Sequence, residues 1–266
     1  MKQYQTQKEL QEYLQSTSKS IGFVPTMGAL HEGHLSLIQT AKGQCELVVC
    51  SIFVNPTQFN DPSDFEKYPK TLEEDLQKLT EVGCDVVYFP EVRDIYPDGM
   101  DNLPSYDLGN LERVLEGEFR PGHFQGVCVV VDRLLQAVQP GYLFMGQKDY
   151  QQVAVVDRLL ALTSHNCKLI ACPTVRENSG LAMSSRNMRL NNEQREKACA
   201  IFKGFESSTQ EEYQQRLLDA GFDSIDYIAC CDPNTLELKP WKAKPCVILV
   251  AAFIGGVRLI DNQIFA

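Results

Sequence analysis

Short apolar runs alternate with helical patterns along the first two thirds of the chain, and no other feature limits its possible folds so strongly. Residues 20–25 (SIGFVP), 46–53 (ELVVCSIF), 84–90 (CDVVYFP), 142–145 (YLFM) and 167–172 (CKLIAC) have strand length and no polar face. Such runs suit strands buried on both sides. Helical patterns occupy residues 34–41, 71–81, 123–138 and 150–163. This order predicts an α/β fold of the Rossmann-like, doubly wound parallel kind, with ligands at the carboxyl ends of the strands.

After Pro173 the alternation stops. A loop rich in Ser, Arg and Asn, residues 176–187 (RENSGLAMSSRN), leads into a helical stretch from Asn191. Residues 224–230, 245–254 and 257–260 then read as strands, with Gly255 and Gly256 marking a hairpin turn. The expected division is residues 1–174 as the Rossmann-like domain and 175–266 as a smaller carboxyl-terminal α+β domain.

A formal net charge of −10 argues against nucleic acid or anionic lipid as a partner, since both reward a basic face. A small anionic ligand stays open if His, Lys, Arg and backbone N–H groups cluster locally. Residues 1–20 are polar and lack the apolar segment of a secretory signal, and no apolar run could span a bilayer. A cytoplasmic location is expected. The ten cysteines contain no C-x-x-C pair, so they read as reduced core residues and no metal-ligand set is expected of them.

Residues 25–34 (PTMGALHEGH) follow the first strand and open a helix near Gly33. A helix amino terminus presents unpaired N–H groups and partial positive charge, Gly28 and Gly33 permit close backbone approach, and His31 and His34 can face one anion. The H-x-G-H pattern is similar to the nucleotidyl-transfer signature of class I aminoacyl-tRNA synthetases and related transferases. Taken alone it also fits a structural histidine pair. In residues 183–186 (MSSR), two hydroxyls and a guanidinium suit charge developing on a pentavalent phosphorus. Residues 146–152 (GQKDYQQ) supply Lys148 for phosphate and Asp149 for ribose hydroxyls, or simply cap a helix. Asn55, Gln58 and Gln152 are amides suited to a substrate with hydroxyl groups, although Asn55-Pro56 also makes an ordinary turn.

The series VPTMGALHEGH, SIFVNPTQF, YPKTLEEDLQKL, LEGEFRPGHFQGV, FMGQKDYQQ, LAMSSRN, VILVAA and RLIDN, running from Val24 to Asn262, resembles the pantothenate synthetase family in content and order. The resemblance implies an ATP-dependent ligase joining pantoate to β-alanine through a pantoyl adenylate, with Mg²⁺ on the phosphates and AMP and pyrophosphate released. It implies that Met27, Gly28, Ala29, Leu30, His31, Glu32, Gly33 and His34 hold ATP, His31 and His34 on the phosphates and His34 as proton donor. Lys148 would contact phosphate, and Gly146, Gln147 and Asp149 the nucleoside side. Val175 would meet adenine through its backbone, while Met183, Ser184, Ser185 and Arg186 would close over the triphosphate. Gln58 and Gln152 would bind pantoate, with Gln58 also near β-alanine and Asn55 beside them. A homodimer formed through the amino-terminal domain is implied as well. The chain departs from the family in the span between Ala198 and Tyr227, which is short.

Two other readings stay open on H-x-G-H alone. One is a nucleotidyltransferase that leaves AMP or CMP on its product, the other a nucleotide-binding module without catalysis. Residues 60–70, with Pro62, Ser63, Asp64 and Pro69, are expected to gate the site, with a rigid surface loop as the alternative.

Overall fold

The computed structural model describes residues 1–59 and 65–266, so Pro62, Ser63 and Asp64 of the expected gate lie outside the described residues. The chain divides into two units, one of Met1–Gln147 with Gln151–Pro173 and the other of Lys148–Tyr150 with Thr174–Ala266.

Among the described residues the first unit is built on six parallel strands: β1 (Lys2–Tyr4), β2 (Ile21–Thr26), β3 (Leu47–Ile52), β4 (Val86–Tyr88), β5 (Tyr142–Gly146) and β6 (Lys168–Cys172). Their order is β1-β4-β3-β2-β5-β6. The expected runs pair as strands, whereas β1 lies in the polar opening segment and carries no apolar signal of its own. It owes its strand conformation to pairing with β4, Lys2 opposite Val86 and Tyr4 opposite Tyr88.

Successive residues of the central strands enter two different cores. Phe23, Leu47, Val49, Val86, Tyr88 and Leu143 face one, with α1 (Gln7–Gln15), α4 (His123–Val138) and α5 (Tyr150–Leu162) covering them. Val24, Val48, Cys50, Val87 and Phe144 face the other, under α2 (Glu32–Lys42) and α3 (Leu72–Glu81). A period of two with apolar residues on both faces is what a sheet sandwiched by helices requires. All ten cysteines carry free thiols, nine of them buried, in keeping with core roles.

The strand order reverses between β2 and β5. Pairing of β2 with β3 runs on to Thr26 and Ile52, but pairing of β2 with β5 stops at Phe23 and Leu143. Crevices of this kind, beyond the carboxyl ends of strands at a reversal of order, are where open α/β sheets hold ligands. The loops carrying residues 27–34 and 146–149 leave these two strands.

The second unit contains a three-stranded antiparallel sheet of β7 (Ser224–Cys231), β8 (Cys246–Ile254) and β9 (Val257–Phe265). The turn between β8 and β9 is Gly255-Gly256, both at positive φ (57° and 71°), as a tight hairpin needs. Helices α6 (Asn192–Ala198) and α7 (Gln210–Asp219) belong to the same unit, whose core includes Ala198, Tyr213, Leu217, Ile248 and Val250. The side chain of Asn191 caps α6 by accepting the Gln194 N–H at 2.9 Å, so the expected helix start stands.

Candidate active site

The turn after β2 is held by a residue from another helix. Gly28 (φ 81°) and Ala29 (φ 50°) both adopt left-handed backbone, which for alanine costs about 1–3 kcal/mol unless the surroundings enforce it. Asp75 on α3 does so: its carboxylate accepts the Ala29 N–H at 2.8 Å and the Leu30 N–H at 2.7 Å. The Thr71 hydroxyl donates to the same carboxylate at 3.2 Å, and Lys78 donates to the Leu30 carbonyl at 2.8 Å. A Cβ on Gly28 would stand 3.0 Å from Asp75, so the turn closes best around glycine. The N–H groups of Ala29 and Leu30 are therefore committed to Asp75, and these two residues shape the turn instead of offering their amides to a ligand.

The two histidines form a reciprocal cap on α2. His31 Nδ1 accepts the Gly33 N–H at 3.1 Å, and His34 Nδ1 accepts the His31 N–H at 3.3 Å. Backbone N–H groups only donate, so each Nδ1 carries a lone pair and the ring proton sits on Nε2. The rings lie 4.0 Å apart at a 34° tilt. Both rings thus stand at the head of a helix. Glu32 is exposed.

A short 3₁₀ turn, Pro56–Gln58, follows β3. Asn55 before it is 1% exposed and fully occupied: its oxygen accepts the Tyr96 hydroxyl at 2.6 Å, while its NH₂ group donates to Gln58 Oε1 and to the Gly126 carbonyl, both at 3.2 Å. Asn55 is thus spent on orienting Gln58 and has no N–H left to offer a substrate. Gln58 in turn donates to Met27 Sδ at 2.8 Å, which joins this turn to the loop after β2. His123 Nδ1 donates to the Gln58 carbonyl at 2.8 Å, and Arg120 lies against both groups. Burial holds the Tyr96 hydroxyl above its ordinary value and so keeps it a donor. Gln151 is buried and spent on the Glu116, Leu111 and Val114 main chain, leaving the half-buried Gln152 as the amide of that pair available to a ligand. Above Gly146 nothing lies within 4 Å of where a Cβ would stand, which leaves room for a ligand.

In the second unit, Lys148 is 18% exposed, lies 3.8 Å from Asp149, and has its carbonyl held by Asn262 at 2.8 Å. Next to Asn262, Asp261 forms a two-pronged ion pair with Arg176 at 2.5 and 3.0 Å. Burial raises the Asp261 carboxyl above its usual range, with Arg176 opposing it. The Met183 N–H donates to the Val175 carbonyl at 3.0 Å, so these two expected nucleotide contacts are neighbours. Ser184 accepts the Arg186 N–H at 3.3 Å and caps the 3₁₀ helix Ser185–Arg189, where Asn187 donates to Glu177 at 3.1 Å. Hydrogen bonds from Arg195 hold Glu177 below the usual carboxylate range.

Among the described residues no cluster of three or more His, Cys, Asp or Glu could hold a metal ion. None of their helices is long and apolar enough to cross a membrane.

A family profile described as Pantoate-beta-alanine ligase matches residues 2–264. The chain belongs to that family. A pantothenate synthetase of Cytophaga hutchinsonii is 44% identical over 260 residues, covering 92% of this chain and 91% of that protein. The pantothenate synthetase of Aquifex aeolicus is 43% identical over 272 residues, covering 96% and 95%. Among solved structures, pantothenate synthetase from Thermus thermophilus superposes with a TM-score of 0.92 at 38% identity, covering 99% of each chain. The pantoate-beta-alanine ligase of Francisella tularensis gives 0.89 at 40% identity over 99% and 97%, and was solved in complex with beta-gamma ATP and beta-alanine. Pantothenate synthetases thus share the parallel sheet and the small antiparallel sheet described above.

Reading the sequence gave no role to Asp75, Tyr96, Arg176 or Asn262, although Asp75, Arg176 and Asn262 lie within segments singled out above. Asp75 left a further trace: it lies four residues before Leu79, and these two are the buried residues of α3, an acid on an apolar stripe.

Proposed function

We propose that this ligase activates the carboxylate of pantoate with ATP and passes the acyl group to β-alanine. The carboxylate oxygen attacks the α-phosphorus as the bond to the β-phosphate oxygen breaks, giving pantoyl adenylate and pyrophosphate. The β-alanine nitrogen then attacks the acyl carbon, the bond to AMP breaks, and the nitrogen gives up a proton. Pantothenate, AMP and pyrophosphate result. Mg²⁺ enters with the nucleotide as part of that substrate, bound by phosphate oxygens.

The observation that carries this reading is the reciprocal cap of His31 and His34 at the head of a helix beside the reversal of strand order. With Nδ1 taken up by a main-chain N–H, each ring can stabilise charge on phosphate by hydrogen bonding through Nε2. His34 is assigned as a hydrogen-bond donor to phosphate, a role that does not require the proton transfer implied by the resemblance. Lys148, Ser184, Ser185 and Arg186 are assigned to the polyphosphate, with Gly146, Gln147, Asp149, Val175 and Met183 on the nucleoside. Gln58 and Gln152 are assigned to pantoate. Support for these roles comes from their motifs and from the local geometry above, and the ligated Francisella relative supports ATP and β-alanine as the ligands. The reading includes a cytoplasmic homodimer formed through the first unit, which sedimentation would check.

Incubation with ATP, Mg²⁺, pantoate and β-alanine, omitting each in turn, tests the proposal. AMP and pyrophosphate should form only with pantoate present, and pantothenate only with all four. Production of ADP, or a nucleotidyl product that persists when β-alanine is supplied, would refute it.

A further inference from the structure

Two main-chain groups dictate which end of the Gln58 amide meets a ligand. The oxygen and nitrogen of an amide have nearly the same shape, so their placement must be read from partners whose roles are unambiguous. Asn55 has two such partners. The Thr57 N–H, which can only donate, lies 3.4 Å from Oδ1, and the Gly126 carbonyl, which can only accept, lies 3.2 Å from Nδ2. The Tyr96 hydroxyl reinforces the oxygen end at 2.6 Å, and the Thr57 hydroxyl adds a contact at 3.1 Å. With Asn55 oriented in this way, its second N–H faces Gln58 at 3.2 Å, and the Gln58 atom there must be the acceptor, Oε1. Nε2 is left on the other side, next to Met27.

Burial and close packing hold this arrangement in place. Asn55 and Tyr96 are 1% and 3% exposed, and the Arg133 guanidinium lies 4.8 Å from the Tyr96 ring centre. Gly126 lets α4 approach so closely that a Cβ there would stand 2.3 Å from the Thr57 carbonyl oxygen.

We infer that Asn55, backed by Tyr96, is a positioning residue that fixes Gln58 with its NH₂ end toward the substrate. The site then accepts a substrate bearing an acceptor oxygen, a carboxylate or hydroxyl, at this point and rejects an analogue that presents only N–H donors there. This inference rests on the assignment of Gln58 to pantoate. Asn55→Asp puts an acceptor where the N–H was, so Gln58 turns over to donate to it and shows its oxygen to the ligand.

Steady-state kinetics of Asn55→Asp, Gln58→Ala and the double variant form the test. The KM for pantoate should rise by at least about tenfold in Asn55→Asp while the KM for ATP stays within about twofold, and adding Asn55→Asp to Gln58→Ala should change neither. A wild-type pantoate KM in Asn55→Asp, or an effect that persists undiminished without Gln58, overturns the positioning role. If Gln58→Ala itself leaves the pantoate KM unchanged, the substrate assignment fails and takes this inference with it. Should Asn55→Asp not fold, Tyr96→Phe decides in the same cycle: a rise of about threefold that vanishes in the Gln58→Ala background supports the role, and no rise, or one that persists, overturns it.

Discussion

The Asp75 carboxylate accepts the Leu30 N–H at 2.7 Å, so a residue in the first turn of α3 sets the conformation of the turn that leads into the two histidines. The neighbouring contact to Ala29 stabilises that residue's positive φ. Replacing one oxygen by NH₂ in Asp75→Asn sets a donor against a main-chain donor. Loss of about 2–3 kcal/mol of stability is expected, as for hydrogen bonds to a charged group. The KM for ATP should rise together with it. Urea midpoints and nucleotide titration would check this, and a wild-type midpoint would remove Asp75 from the role.

His34 and Lys148 are expected to act on the transition state for adenylate formation. His34→Ala and Lys148→Ala should each lower turnover by at least tenfold, which is about 1.4 kcal/mol or more, without loss of fold. Pyrophosphate exchange isolates the first step and would show the same loss. Near-normal exchange in either purified variant would cancel its assignment.

Glu177 makes stability depend on acid. Its pKa is lowered from 4.5, chiefly by hydrogen bonds from Arg195, so the extra stability is present above that value and is lost as pH falls through the lowered one. Because the Arg195 side chain is half exposed, solvent screening limits the effect to about 1 kcal/mol or less. Glu177→Gln should be less stable than the parent at neutral pH, and the gap should narrow in acid. Denaturant midpoints taken across that range would show it, and a gap independent of pH would refute the pairing.

Gly126 is expected to tolerate no side chain. In Gly126→Ala the new Cβ would meet the Thr57 main chain at 2.3 Å, and the resulting shift of the Pro56–Gln58 turn should cost about 1–3 kcal/mol, typical of overpacking. The thermal midpoint should fall and the KM for pantoate should rise. An unchanged midpoint would show that the turn yields easily.

The local chemistry of the chain was legible where one segment carries its own signal. Residues 46–53 are mostly apolar and contain the central-sheet strand β3, and the H-x-G-H segment opened α2 as expected. β1 was illegible because a three-residue polar strand exists only by pairing with β4. Sequence reasoning grouped Asn55 with the substrate amides because Asn and Gln have the same chemistry. Its burial and its full set of partners decide otherwise.

By itself, then, the sequence determined the alternation of strand and helix, the family, and which chemical groups stand at the strand ends, since periodicity and motif order are properties of neighbouring residues. Tertiary structure alone decided what holds those groups. Asp75 reaches Ala29 across 46 positions, Tyr96 reaches Asn55 across 41, and Asn262 reaches Lys148 across 114. Hydrogen bonds of such reach leave no periodic trace, because each depends on one donor and one acceptor that meet only after the sheets have formed.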